Sequence, residues 1–218
     1  MQFNQLEEIA AAVQTCTLCP LHTGRVQGVP GEGPTDAEIM FIGEGPGYHE
    51  NRQGRPFVGP SGQFLDELLA LAGLQRHEVF IGNVVKCRPP DNRDPLPDEI
   101  EMCTSTYLMR QIELIDPKVI VPLGRFSMNL FIPGAKITQI HGQPRRINGR
   151  LIVPMMHPAA ALHQPRNREL IAEDFRRLPD ILARADSIDP VDPAPRSGST
   201  PSAAMPPPEP PPEQMRMF

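Results

Sequence analysis

One stretch limits the folds open to this chain more than any other. An apolar run, Glu38 to Ile42, stops abruptly at Gly43-Glu44-Gly45-Pro46-Gly47 and continues through Glu50, Gly54, Pro56, Phe57 and Gly59 to Ser61-Gly62. A helix-period pattern, Phe64, Leu65, Leu68 and Leu69, follows at once. A buried strand that feeds a rigid loop and then a helix is where open α/β sheets carry their sites. Gly43, Gly45 and Gly47 let backbone come close to a ligand, and Pro46 and Pro56 stiffen the loop. Neither Gly-x-Gly-x-x-Gly nor a Lys-Ser/Thr phosphate loop is present, so a generic nucleotide cradle does not fit.

The rest of the chain repeats the alternation. Leu6–Val13 reads as a short helix, and Val79–Val85 is a second, β-branched strand. A Pro-rich loop, Arg88 to Pro97, leads to a helix capped near Asp98 with acids in its first turn. Lys118–Leu123 is a third strand. Arg145-Arg146-Ile147, Asn148-Gly149 and Arg150–Met155 form a hairpin, since Asn-Gly suits a type I′ turn, and a helix from about Arg166 to Arg184 closes the unit. The expectation is a three-layer α/β/α domain over residues 1–185 with a mostly parallel four-stranded sheet.

Residues 186–218 are rich in Pro, Ser and Ala, with too few large apolar groups to offset the entropy of ordering, and read as a disordered tail. The tail holds five acids and two arginines, so −3 of the formal charge of −5 lies there and −2 remains on the domain. Any nucleic-acid surface must therefore be local. No apolar run reaches membrane length and no leader pattern opens the chain, which reads as a cytoplasmic monomer.

In a reducing compartment, four cysteines point to metal before disulfides. The spacing is Cys16-x2-Cys19, then Cys87, then Cys103. It lacks the two compact knuckles of a zinc ribbon and suits an iron–sulfur cluster, yet spacing alone leaves iron–sulfur, zinc and plain buried thiols open.

Three polar or aromatic positions stand where a site would lie. Asn83 ends the second strand among apolar neighbours, His157 ends the last strand in Met-Met-His-Pro-Ala-Ala, and Phe57 sits on a loop between Pro56 and Gly59. An amide such as Asn83 sets an N–H donor beside a C=O acceptor, a pair that accepts one edge of a ligand and rejects the edge with the opposite pattern. The other histidines, 22, 49, 77, 141 and 163, read as ordinary structural residues.

Glu-Gly-Pro-Gly, a nearby Glu, Gly-Arg-Pro-Phe-Val-Gly, the cysteine spacing and the His-Pro string together resemble the family 4 uracil-DNA glycosylases, from about Leu6 to about Leu182. The resemblance implies a monofunctional enzyme that frees uracil from single- or double-stranded DNA and leaves an abasic site. It implies a structural [4Fe–4S] cluster on Cys16, Cys19, Cys87 and Cys103. It assigns the base pocket to Glu44, Gly45, Pro46, Phe57, Asn83 and His157, with His157 stabilising charge on the departing base. Water is expected at Asn92, with Glu44 toward the sugar, Glu50 as loop support and Leu162 as a wedge in the DNA stack.

Where better-known family 1 enzymes carry a water-positioning Asp, this chain has Gly45, as is typical of family 4. Arg52, Arg55, Lys86, Arg88 and Arg93 are expected on the pocket rim as phosphate contacts, with Arg145, Arg146, Arg166 and Arg168 flanking the His-Pro loop. The terminal Gln214-Met215-Arg216-Met217-Phe218 resembles the peptide by which bacterial repair proteins dock on the sliding clamp. The alternatives are a uracil-DNA-binding iron–sulfur protein without turnover and a branch that links covalently to DNA through a loop histidine. The loop after Arg88 has no such histidine.

Overall fold

The computed structural model describes residues 3–188. The proposed clamp peptide, 214–218, and most of the Pro-rich tail lie outside the described residues. In chain order the elements are α1 (Leu6–Thr15), β1 (Ile39–Gly43), α2 (Tyr48–Gln53), α3 (Pro60–Leu71), β2 (Phe80–Asn83), α4 (Pro97–Cys103), α5 (Met109–Ile115), β3 (Val119–Pro122), α6 (Arg125–Phe131), α7 (Ile137–Ile140), β4 (Arg145–Ile147), β5 (Arg150–Ile152), α8 (Ala159–His163) and α9 (Arg166–Ala183).

The sheet runs in the order β2-β1-β3-β5-β4, parallel except for β4, which pairs antiparallel with β5. The expected four strands are therefore five. The addition is the outer arm of the hairpin, whose Asn148 and Gly149 both take positive φ (49° and 79°) as a tight turn demands. The second strand ends at Asn83, earlier than Val85. Val84 and Val85 still donate to the carbonyls of Gly43 and Glu44, so they remain buried and bonded while the chain turns away. The helix expected to be capped near Asp98 begins at Pro97, and Glu99 accepts the Leu96 N–H at 2.7 Å.

All five residues of β1 are buried, and they divide by parity. Ile39 and Phe41 face a core shared with α3 and α9, while Met40 and Ile42 face one shared with α1 and α5. A central parallel strand covered on both faces has to read as an unbroken apolar run, which is why this stretch stood out. β1 continues to β2 on one side and pairs with β3 on the other, so a crevice opens at their carboxyl ends.

Candidate functional site

That crevice is a pocket of about 350 Å³ lined by Gly45, Gly47, Glu50, Phe57, Ser61, Asn83, Asn92, His157 and Ala159. Its rigid element is the turn at Phe57, which is buried and held at φ 50°, a left-handed conformation unusual for an aromatic residue. The surroundings enforce it. Glu50, buried, accepts N–H groups from Gly47, Val58 and Gly59 at 3.1, 2.9 and 2.8 Å. Arg76 reaches in from the loop before β2 and donates to the carbonyls of Phe57 (3.2 Å) and Pro56 (2.5 Å), while pairing with Glu32 and Asp66. A Cβ on Gly62 would strike the Phe57 backbone, so only glycine permits this turn to lie on α3.

The Phe57 ring stacks on His157, with centroids 5.6 Å apart and planes 28° from parallel. His157 follows β5 on a loop, is half-buried, and lines the pocket. Burial pushes its pKa down to about 4, against the opposing pull of the Glu50 carboxylate. Its Nδ1 lies 3.1 Å from the Ala159 N–H and accepts from it. The ring proton of the neutral imidazole is therefore on Nε2, which is a donor. Gly124, at φ 90°, leaves room for this ring, since a Cβ there would press on His157 at 3.1 Å.

Asn83, 2% exposed, ends β2 with its Oδ1 buried and without a hydrogen-bond partner among the described residues. Such an atom costs about 1–3 kcal/mol unless something fills its bond. Its backbone is fixed from behind, where Lys86 Nζ donates to the Asn83 carbonyl at 2.9 Å and to Gln111 Oε1 at 2.6 Å. Lys86, expected on the rim, is instead fully buried, and burial lowers its pKa to about 8.

Each of the three loop glycines also makes room for a protein side chain. A Cβ on Gly43 would run into Asn83 Oδ1 and the Phe57 ring, one on Gly45 into Val85, and one on Gly47 into Glu50.

The pocket thus gathers Gly45, Glu50, Phe57, Asn83, Asn92 and His157 from the expected set. Asn92 stands exposed at the mouth with φ 54°, and its Oδ1 accepts from Arg88 Nε at 2.7 Å. Glu44, Pro46 and Leu162 are not among the lining residues. Glu44 is half-buried, and burial, then Asp94, raises its pKa while Arg125 opposes. Leu162 projects from α8 at 48% exposure. Ser61, the Ala159 amide, Gly124 and Arg76 were missed. Gly124, at the end of a strand as Gly43 is, carried the one signal that could have been read.

Of the expected rim cations, Arg55 pairs with Glu32 and Arg93 with Glu99. Arg168 on the His-Pro side pairs with Glu67.

Behind the end of β2, Cys16, Cys19, Cys87 and Cys103 line one apolar pocket with Leu18, Leu21, Val85, Met102 and Tyr107. A π-helical turn, Thr104–Leu108, follows Cys103 and buries Tyr107. Cys103 Sγ accepts the Lys86 N–H at 3.3 Å, and Cys87 Sγ accepts from Arg25 at 3.2 Å. Burial raises the pKa of Cys19, Cys87 and Cys103. Among the described residues no three His, Cys, Asp or Glu side chains are grouped as a single metal ion would need. Four thiols in largely apolar walls, with N–H donors on two sulfurs, are a donor set that suits a cluster of soft metals.

Residues 30–178 match the Uracil DNA glycosylase superfamily. A type-4 uracil-DNA glycosylase of Thermotoga maritima is 42% identical over 82% of this chain and 95% of its own length. Those of Sulfurisphaera tokodaii (44%, over 82% and 85%) and Archaeoglobus fulgidus (42%, over 83% and 95%) are similar to the same degree. The chain belongs to the uracil-DNA glycosylase superfamily, in its type-4 branch.

Proposed function

We propose that this chain is a monofunctional uracil-DNA glycosylase that takes a deoxyuridine out of the DNA stack and hydrolyses its N-glycosidic bond. The observation that carries the reading is the pairing, in one pocket, of an unpartnered amide with a neutral histidine whose free donor is Nε2. Asn83 Oδ1 accepts from uracil N3–H, and its NH2 donates to O4. Cytosine would leave both groups desolvated and unpaired, so it is rejected. Phe57 packs against the base.

As the bond from N1 to C1′ breaks, the electron pair stays with uracil, and negative charge grows on O2. His157 Nε2–H donates there, which contributes about 10²–10³ in rate for a donor that bonds the developing charge. Water adds to C1′ and gives up its proton to solvent. Arg88 fixes the Asn92 flip, since only the amide oxygen can accept from it. Asn92 holds the water with its remaining lone pair. Glu44 serves the sugar side, Glu50 keeps the loop in shape, and Leu162 fills the gap the nucleotide leaves. Among the described residues no lysine lines the pocket, and the reaction proposed stops at the abasic site without strand cleavage through a Schiff base.

Cys16, Cys19, Cys87 and Cys103 would hold a [4Fe–4S] cluster, which supplies a structural staple and no chemistry at the base. The protein works as a cytoplasmic monomer on uracil-bearing DNA, with the 214–218 peptide as its attachment to a sliding clamp.

The test is a uracil-containing oligonucleotide incubated with the enzyme and then treated with alkali. The parent yields a break at uracil, and His157→Ala and Asn83→Asp each slow base release by about 100-fold or more. Absence of any alkali-labile break removes the glycosylase reading, and parental rates in both variants would mean that the pocket is misassigned.

A further inference from the structure

We propose that Tyr48, Arg52 and Arg88 form a seat for the phosphodiester backbone of the strand whose nucleotide enters the pocket. The seat rests on the glycosylase reading and adds to it a defined contact outside the base.

Five cations were expected on this rim, and the structure separates them. Lys86 is buried, while Arg55 and Arg93 are held by Glu32 and Glu99. Arg52 and Arg88 have no carboxylate partner among the described residues. Both guanidinium carbons stand over one ring, that of Tyr48, at 5.7 and 5.5 Å from its centroid. Arg52 also donates to the Tyr48 hydroxyl at 3.3 Å. Tyr48 is 50% exposed, and His49 braces its ring edge-on at 5.4 Å.

Two like charges on one aromatic ring repel each other. A cation–π contact at an exposed site returns only about 0.5–1 kcal/mol per cation. The arrangement lacks an anion, on a domain whose net charge is negative. It also lies beside the pocket: Tyr48 follows the lining Gly47, and Arg88 grips the lining Asn92. An anion that must pass this rim with every substrate is DNA phosphate, which arginine binds through its fork of N–H donors. Tyr48 is the positioning residue, since it holds both guanidiniums against their repulsion.

The experiment measures binding of a labelled single-stranded oligonucleotide without uracil, across a salt series, for the parent, Arg52→Ala, Tyr48→Ala and Tyr48→Phe. Base release from a matched uracil oligonucleotide is measured alongside. A phosphate contact contributes about 0.7 to the slope of log affinity against log salt on single strands. Arg52→Ala should lower that slope by about this amount and weaken both oligonucleotides equally. Tyr48→Ala should do at least as much, while Tyr48→Phe, which keeps the ring, should stay near the parent. An unchanged slope in both alanine variants overturns the seat, as does weakening confined to the uracil oligonucleotide. If the parent releases uracil while the slopes do not move, only the seat fails. If the parent releases none, the glycosylase reading fails, and the slope still reports on phosphate.

Discussion

The pocket around Asn83 and His157 and the cysteine pocket lie on either side of the end of β2, and they treat their polar atoms in opposite ways. In the first, Asn83 Oδ1 has no partner, His157 keeps a donor free, and Phe57 is held in a left-handed turn. In the second, two sulfurs already accept N–H groups and most of the remaining walls are apolar. Lys86 touches both, with its backbone N–H on Cys103 and its ammonium on the Asn83 carbonyl. Groups left wanting at one end suit a ligand that arrives and leaves. Groups already satisfied at the other suit a permanent filling that fixes the frame.

The sharpest way to break this contrast is to cut one group from each side. His157→Ala should lower single-turnover base release by about 100-fold or more and leave the melting temperature near that of the parent. Cys103→Ser should do the reverse. It should lose iron and its visible absorbance, and melt about 10 °C lower, because the link between the N-terminal segment and the end of α4 is cut. The fraction that remains folded should keep most of its rate. If Cys103→Ser melted like the parent but was as slow as His157→Ala, the cysteines would belong to the chemistry and the division would collapse.

A smaller effect sharpens the same comparison at one atom. Gly43→Ala puts a methyl group against Asn83 Oδ1 and the Phe57 ring, whereas Gly24, near the cysteines, has nothing within 4 Å of a Cβ. Gly43→Ala should reduce kcat/KM on uracil DNA by roughly tenfold, the price of moving two aligned groups by a fraction of an ångström. Gly24→Ala should match the parent. Iron content should be normal in both. Equal activity of the two variants would show that the spacing of Asn83 and Phe57 is not what sets the rate.

These contrasts also explain what could be read without coordinates. β1 and β3 were legible because both faces are buried, which leaves a run of apolar residues that no surface helix would carry. Asn83 and His157 were legible as polar residues that interrupt such runs. Lys86 was not, because its neighbours Cys87 and Arg88 look like a rim while its partner Gln111 lies 25 positions on. Arg76 was missed for the same reason: its contacts to Glu32 and Phe57 cross 44 and 19 residues. Local pattern reports burial and turns, and it is silent on which distant charge a side chain will meet. The rim cations were therefore grouped by position, when long-range partners divide them into held and free.

The smallest expected effect concerns pH, and it again separates the two pockets. Burial holds the folded-state pKa of His157 at about 4, below the ordinary 6.5. Between those values the unfolded chain binds a proton that the folded protein refuses, so the unfolded state gains as pH falls. The His157 contribution is fully present above 6.5 and is lost as pH drops toward about 4. Base release, by contrast, should show no step near 6.5, since the imidazole in the pocket is neutral on both sides of it. His157→Asn keeps a polar side chain that does not titrate. Urea midpoints at pH 7.5 and 5 should fall further for the parent than for this variant, by a modest margin because one group is involved. An equal fall in both, or a histidine-like step in the parent rate, would mean that His157 is open to solvent and protonated as in water. Nε2 would then be a charged donor, and the proposed stabilisation of the leaving base would have to be derived from an imidazolium.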